Sequence, residues 1–181
     1  TKPMAKALLR HFGCYAAVVQ ARPADLLRFG LTEGTVGALK IAEASAIRML
    51  KSGFSGRPVL SSWAALIDYL SADMGHLPIE RVRLLLLNTK NILIRDELLS
   101  EGAVDQAPVY AREVIRRAIE HHATGMILVH NHPSGDTRPS REDIAMTRAV
   151  AESGKLLGIA LHDHVIVGST GHSSFKALGL L

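Results

Sequence analysis

The spacing of apolar positions along the chain predicts helices first and alternating strands and helices afterwards. Short helices are expected over Ala5–His11 and Ala24–Phe29, the second led by Pro23, which suits a helix start. Gly34–Lys51 reads as a longer helix with Val36, Leu39, Ala42, Ala46, Ile47 and Leu50 along one face. The stretch SGFSGRP (Ser52–Pro58) combines two glycines, two serines and a proline, and marks the expected domain boundary. A small all-helical domain over 1–57 and a second domain over 58–181 follow from it.

Beyond the boundary, Ser62 is placed to cap a helix from Trp63 to Asp73, with Ala65, Leu66, Tyr69 and Leu70 as its apolar positions. Arg81–Asn88 (RVRLLLLN) is short and bounded by turn residues, and its four leucines suit a strand buried on both faces. Asn88–Asn91 (NTKN) predicts a hairpin turn and Ile92–Leu99 a returning strand. Pro108–His122 is an amphipathic helix with Val114, Ile115, Ala118, Ile119 and His122 on one face and Gly125 just past its end. Met126–His130 is a short buried strand. Ser140 opens a helix to Ser153 with Gly154 behind it, and Leu156–Leu161 and His164–Val167 read as two more strands. The alternation predicts an α/β core.

Composition adds little to this picture. With 48% hydrophobic and 21% charged residues the 181-residue chain is that of an ordinary globular protein. The single cysteine, Cys14, excludes a disulfide framework and a cysteine-based zinc finger, and its apolar neighbours predict a core position. No apolar run reaches the ~20 residues needed to span a bilayer. The opening TKPMAKALLRHF lacks the features of a secretory leader, so a cytoplasmic protein without membrane contact is expected. A net charge of +4 and a pI near 9.5 are compatible with nucleic acid without arguing for it.

The chemistry concentrates in HNHPSGDTRPSREDIAMT (His130–Thr147). His130 and His132 are two apart, so on an extended strand end both imidazoles point to the same side. Pro133, Gly135 and Pro139 let the chain turn back and set Asp143, on the first turn of the next helix, opposite them. Two imidazoles and a carboxylate suit Zn²⁺ and leave a tetrahedral position for water. Ser140 and Asp143 also have capping-box spacing, and a cap would rigidify the turn that presents the carboxylate. A zinc-bound water needs a further carboxylate as proton acceptor. Spacing alone does not choose among Glu80, Glu97 and Glu113. His162, Asp163 and His164 form a second cluster that reads as a satisfied buried pair or as a partner orienting a zinc ligand. His121 and His122 suit a helix C-terminus without any ligand role.

His130, His132, Ser140 and Asp143 fit the JAMM pattern of His-x-His, seven residues, Ser, two residues, Asp. Together with LLLLNTKN, AREVIRRA and DHVIVG, the segment Ser62–Leu181 resembles the RadC family of JAMM (MPN) domains. The resemblance implies a three-layer α/β domain of the JAMM, cytidine-deaminase-like type, preceded by the small helical domain. It implies zinc held by His130, His132 and Asp143, with Glu80 as the acid–base carboxylate. Ser140 would assist the oxyanion or the zinc-bound water. The implied activity is metalloprotease cleavage of a peptide or isopeptide bond through a zinc-activated water. The N-terminal part resembles, more loosely, a helix-hairpin-helix module, which would bind DNA weakly through backbone N–H groups. Thr32 stands where that module's second glycine is expected, with Glu33 beside it, and both work against phosphate. The alternative function is accordingly a DNA-associated accessory protein with a structural or vestigial metal site.

Overall fold

The computed structural model describes residues 2–102 and 109–181. Its element order is α1 (Lys2–Phe12), α2 (Tyr15–Gln20), α3 (Pro23–Arg28), α4 (Glu33–Ser52), a 3-10 turn (Val59–Ser62), α5 (Trp63–Met74), β1 (Glu80–Leu87), β2 (Leu93–Gly102), α6 (Ala111–Glu120), β3 (Gly125–Asn131), α7 (Arg141–Leu156), β4 (Ala160–Gly168) and β5 (Gly171–Ser174). The expected helix start at Pro108 lies outside the described residues.

Among the described residues the strands form one five-stranded mixed sheet in the order β2-β1-β3-β4-β5. Of these described strands only β3 and β4 pair in parallel, and α7 makes the crossover between them. Alternation along the strands sorts the core into two layers. Leu85, Leu87, Ile127, Val129, Val165 and Val167 face α5, whose Leu66, Tyr69, Leu70 and Met74 cover them. Leu84, Leu86, Met126 and Leu128 face the opposite way, onto Val114, Ile115 and Ala118 of α6 and Val150 of α7. The result is a mixed α/β fold with helices on both faces of the sheet, joined to an N-terminal helical region, as the sequence predicts.

The run of four leucines is buried on both faces because β1 sits between β2 and β3. Asn91 makes the β1–β2 turn with φ of 56°, and the Asn88 side chain accepts from Lys90 N and Ile92 N. The helical region keeps its own small core of Leu8, Val18, Leu26, Leu31 and Val36. Gln20 ties it to α5, donating to Ala72 O and accepting from His76 N. Phe54, within the 52–58 stretch, is fully buried and packs on Tyr69. Thr32 caps α4 through Thr35 N, and Glu33 adds its charge to that first turn.

Several local expectations are corrected. Cys14 is exposed rather than core: its sulfur caps α2, a helix the sequence reading missed. Ser62 precedes α5, but its hydroxyl donates to Pro58 O instead of capping. Ala42 and Ala46 are exposed because α4, packed mainly on α5 and the other N-terminal helices, buries a narrower stripe than the apolar spacing implies; Ile119 is exposed on α6, and His122 lies beyond that helix and is exposed too. Leu156 is not in a strand but ends α7, 86% exposed, and one strand, β4, replaces the two expected. Strand β5 is an addition.

Gly154 lies inside α7 rather than behind it. A β-carbon there would come within 2.5 Å of Ile159 O and 2.9 Å of Met126 Cε. Helix propensity alone would make Gly154→Ala stabilising by about 1 kcal/mol. The backbone oxygen cannot retreat, and overpacking of this kind costs about 1–3 kcal/mol. Denaturant melts of Gly154→Ala are therefore expected to show a net loss of stability.

Candidate metal centre

Strand β3 is the central strand, and its residues are buried throughout. By its alternation His130 points to the α7 side while Asn131 points to the α5 side. The chain leaves the strand after Asn131, and His132 N donates to Val167 O. It then turns at Gly135, whose φ of 82° favours glycine and where a β-carbon would come within 2.8 Å of Ser169 Oγ. Thr170 Oγ1 donates to Gly135 O, and Ser173 Oγ bonds Thr137 Oγ1, so the β4–β5 hairpin pins the loop. Ser140 then caps α7. The capping box is complete: Ser140 Oγ accepts from Asp143 N, and the Asp143 carboxylate accepts from Ser140 N and Oγ.

These constraints bring His130, His132 and Asp143 together. His130 Nε2 and His132 Nε2 are 2.8 Å apart, and the carboxylate oxygens lie 3.3 Å from the first and 3.6 Å from the second. One ligand atom from each residue falls within a 4.8 Å cluster. His132 Nδ1 faces Asp136 O at 2.6 Å and must donate to that carbonyl, so the neutral imidazole offers Nε2 as a lone pair and only the protonated ring donates to Asp143 as well. Two imidazole nitrogens and a carboxylate at this range repel unless a cation or a proton lies among them. The donor set therefore fits a metal ion.

The electrostatics agree. Burial, opposing it, is outweighed at Asp143 by the hydrogen bonds of His132 and Ser140 and the charge of His130, which hold its carboxyl below the ordinary range. The hydrogen bond with Asp143 raises His132. Burial pulls His130 down to about 4 despite Asp143.

Glu80 opens β1, half-buried, and feels the charges of both His132 and Asp143; burial raises its carboxyl above the ordinary value. Its rivals are engaged elsewhere. Glu97 pairs with His121, Arg117 and Arg95, and Glu113 with Arg116 and Arg117. The second cluster divides. Asp163 is a satisfied buried group, accepting from His164 N, Ser174 Oγ and Lys176 N. The ring of His164 instead reaches His130 at 2.8 Å.

Two residues escaped the sequence reading. Asn131, buried between the two histidines, accepts from Arg81 N and donates to Ile79 O, gripping the backbone on either side of Glu80. Thr147, four residues after Asp143, is a buried polar residue in the apolar stripe of α7 and contacts His164. A polar side chain in an apolar stripe was the available signal for both.

The metal-free protein is expected to lose stability as pH falls from about 6.5 toward 4. Unfolded histidines take up protons near 6.5. In the folded chain burial holds His130, His162 and His164 below that value. The unfolded state then binds more protons in this window, so acid favours unfolding. His132, raised, works the other way, but three groups oppose one. Thermal melts in chelator between pH 7 and 4.5 should show a falling Tm.

The sequence model of the RadC-like JAB domain matches residues 60–180. A UPF0758 protein of Rhodobacter capsulatus is 50% identical over 181 residues, covering 99% of this chain and 85% of the relative.

Proposed function

The chain belongs to the RadC-like JAB domain family, and on that premise we propose that it is a zinc-dependent hydrolase of peptide or isopeptide bonds. The observation that carries this reading is the convergence of His130, His132 and Asp143 with a carboxyl, Glu80, inside their field. Two nitrogens and one oxygen favour zinc over harder cations. When bound, the metal supplies Lewis acidity to a carbonyl and lowers the pKa of water to about 7. Glu80, half-buried and raised, is suited to accept a proton there and return it to the leaving amine. Ser140 fixes the orientation of Asp143 by donating its hydroxyl hydrogen to that carboxylate; the oxyanion role that the family's pattern gives it requires the same hydrogen to turn from Asp143 to the substrate.

Protein loaded with zinc and desalted should retain one equivalent by elemental analysis. It should cleave fluorogenic peptide and lysine-isopeptide probes at a rate abolished by chelator. Zinc retention without cleavage of either probe class would remove the hydrolase and leave a metal site. No retained zinc would remove both.

A further inference from the structure

We propose that Thr147 and His164 form a hydrogen-bond relay that holds His130 in the one tautomer able to offer its Nε2 lone pair to a metal. The inference rests on His130 being a metal ligand, as proposed above, and it extends that site to two residues that touch no metal.

The direction of each bond follows from the partner at the far end. Thr147 Oγ1 lies 2.6 Å from Asp143 O and 2.6 Å from His164 Nδ1. A carbonyl can only accept, and a hydroxyl has one hydrogen, so that hydrogen goes to Asp143 O. His164 Nδ1 must then carry a hydrogen and donate to Thr147. His164 is fully buried, and the neighbouring Asp163 carboxylate is occupied by His164 N, Ser174 Oγ and Lys176 N. Without a carboxylate on its ring a charged imidazole is costly there, so His164 holds one ring hydrogen and its Nε2 is bare. That bare nitrogen faces His130 Nδ1 at 2.8 Å. The hydrogen between them therefore belongs to His130 Nδ1, and His130 Nε2 is left as a lone pair beside His132 Nε2 and Asp143 Oδ1.

The relay is also rigid. Phe175 stacks on the His164 ring with centroids 4.5 Å apart and planes 24° from parallel. Thr147, His164 and His130 come from α7, β4 and β3, and all three are buried. Both ring nitrogens of His164, fully buried, find their partners in Thr147 and His130. The circuit closes on Asp143 itself, which supplies a ligand through its carboxylate and anchors the relay through its carbonyl. Thr147 and His164 are positioning residues: they act on the metal only through His130.

Two measurements test this. Long-range ¹H–¹⁵N correlation on metal-free, ¹⁵N-histidine-labelled protein distinguishes an Nδ1–H from an Nε2–H imidazole, with His130 assigned by its loss in His130→Gln. Wild type and Thr147→Ser should show His130 as Nδ1–H, and Thr147→Val should lose that preference. Zinc affinity, read by competition with a chromophoric chelator, should fall about 10–100-fold in Thr147→Val and stay near wild type in Thr147→Ser. A role confined to packing would lower the melting temperature of Thr147→Val without moving either readout. An Nε2–H His130 in wild type overturns the proposal even if no variant folds. So does a Thr147→Val protein that binds zinc as tightly as wild type. If wild type binds no zinc, the metal reading fails, while the tautomer result still decides the relay.

Discussion

Glu80→Gln is expected to cut hydrolysis by about 10²–10⁴-fold while zinc stoichiometry stays at one, because a positioned acid–base group contributes on that order. The two readouts separate because Glu80 is outside the three-residue ligand cluster yet within the field of His132 and Asp143. Glutamine keeps the shape and much of the polarity of the side chain but cannot take a proton from water. Glu97→Gln and Glu113→Gln serve as controls, since both carboxylates are committed to arginine or histidine partners. A Glu80→Gln protein that hydrolyses the probes at the wild-type rate would return the acid–base role to the other carboxylates, and rate loss in Glu97→Gln would point to the replacement.

Asp143→Ala is expected to abolish the thermal stabilisation that zinc confers. At a free concentration 100 times its Kd, a ligand specific to the folded state adds about 2.7 kcal/mol. For a chain of this length that corresponds to a Tm rise of roughly 5–10 °C. Loss of Asp143 removes a ligand outright, so the affinity loss should exceed the roughly 10–100-fold typical of outer partners. The metal-free variant should also be less stable by about 1 kcal/mol, because Ser140 loses the carboxylate that accepts from its N–H and hydroxyl. Differential scanning calorimetry with and without zinc separates the two effects. Equal zinc-induced shifts in wild type and Asp143→Ala would place the metal elsewhere.

The residues of the site differ in how far the sequence alone exposes them, and the difference follows sequence distance. His130, His132, Ser140 and Asp143 lie within fourteen positions, so strand alternation, a turn and a helix start suffice to bring them together. Leu84–Leu87 is equally local, because four consecutive leucines already require burial on both sides. Thr147 and Asn131 act through partners far along the chain: His164 lies 17 positions from Thr147, and Arg81 lies 50 from Asn131. A polar side chain in an apolar stripe marks each as unusual, but nothing in the immediate neighbours says which distant group it meets. Misjudged elements share another cause. Strand β5 (GHSS) is short and polar because it is a sheet edge. Leu156 and Leu157 mimic a strand start but are exposed at the end of α7, where apolar character reports no burial.

The chain has one cysteine and one tryptophan, and the fold sets them in different layers. Cys14, exposed at the start of α2 and outside the buried cores, offers the sulfur that caps that helix to a thiol-reactive dye. Trp63, at the start of α5, packs against the core between that helix and the sheet. Together they form a ready donor–acceptor pair for energy transfer. Trp63 emission alone follows the sheet layer, and transfer to the dye follows its distance from the N-terminal helices. Unfolding curves recorded both ways would coincide if the helices and the sheet melt as one cooperative unit, and would separate if the linkage through Gln20 gives way first.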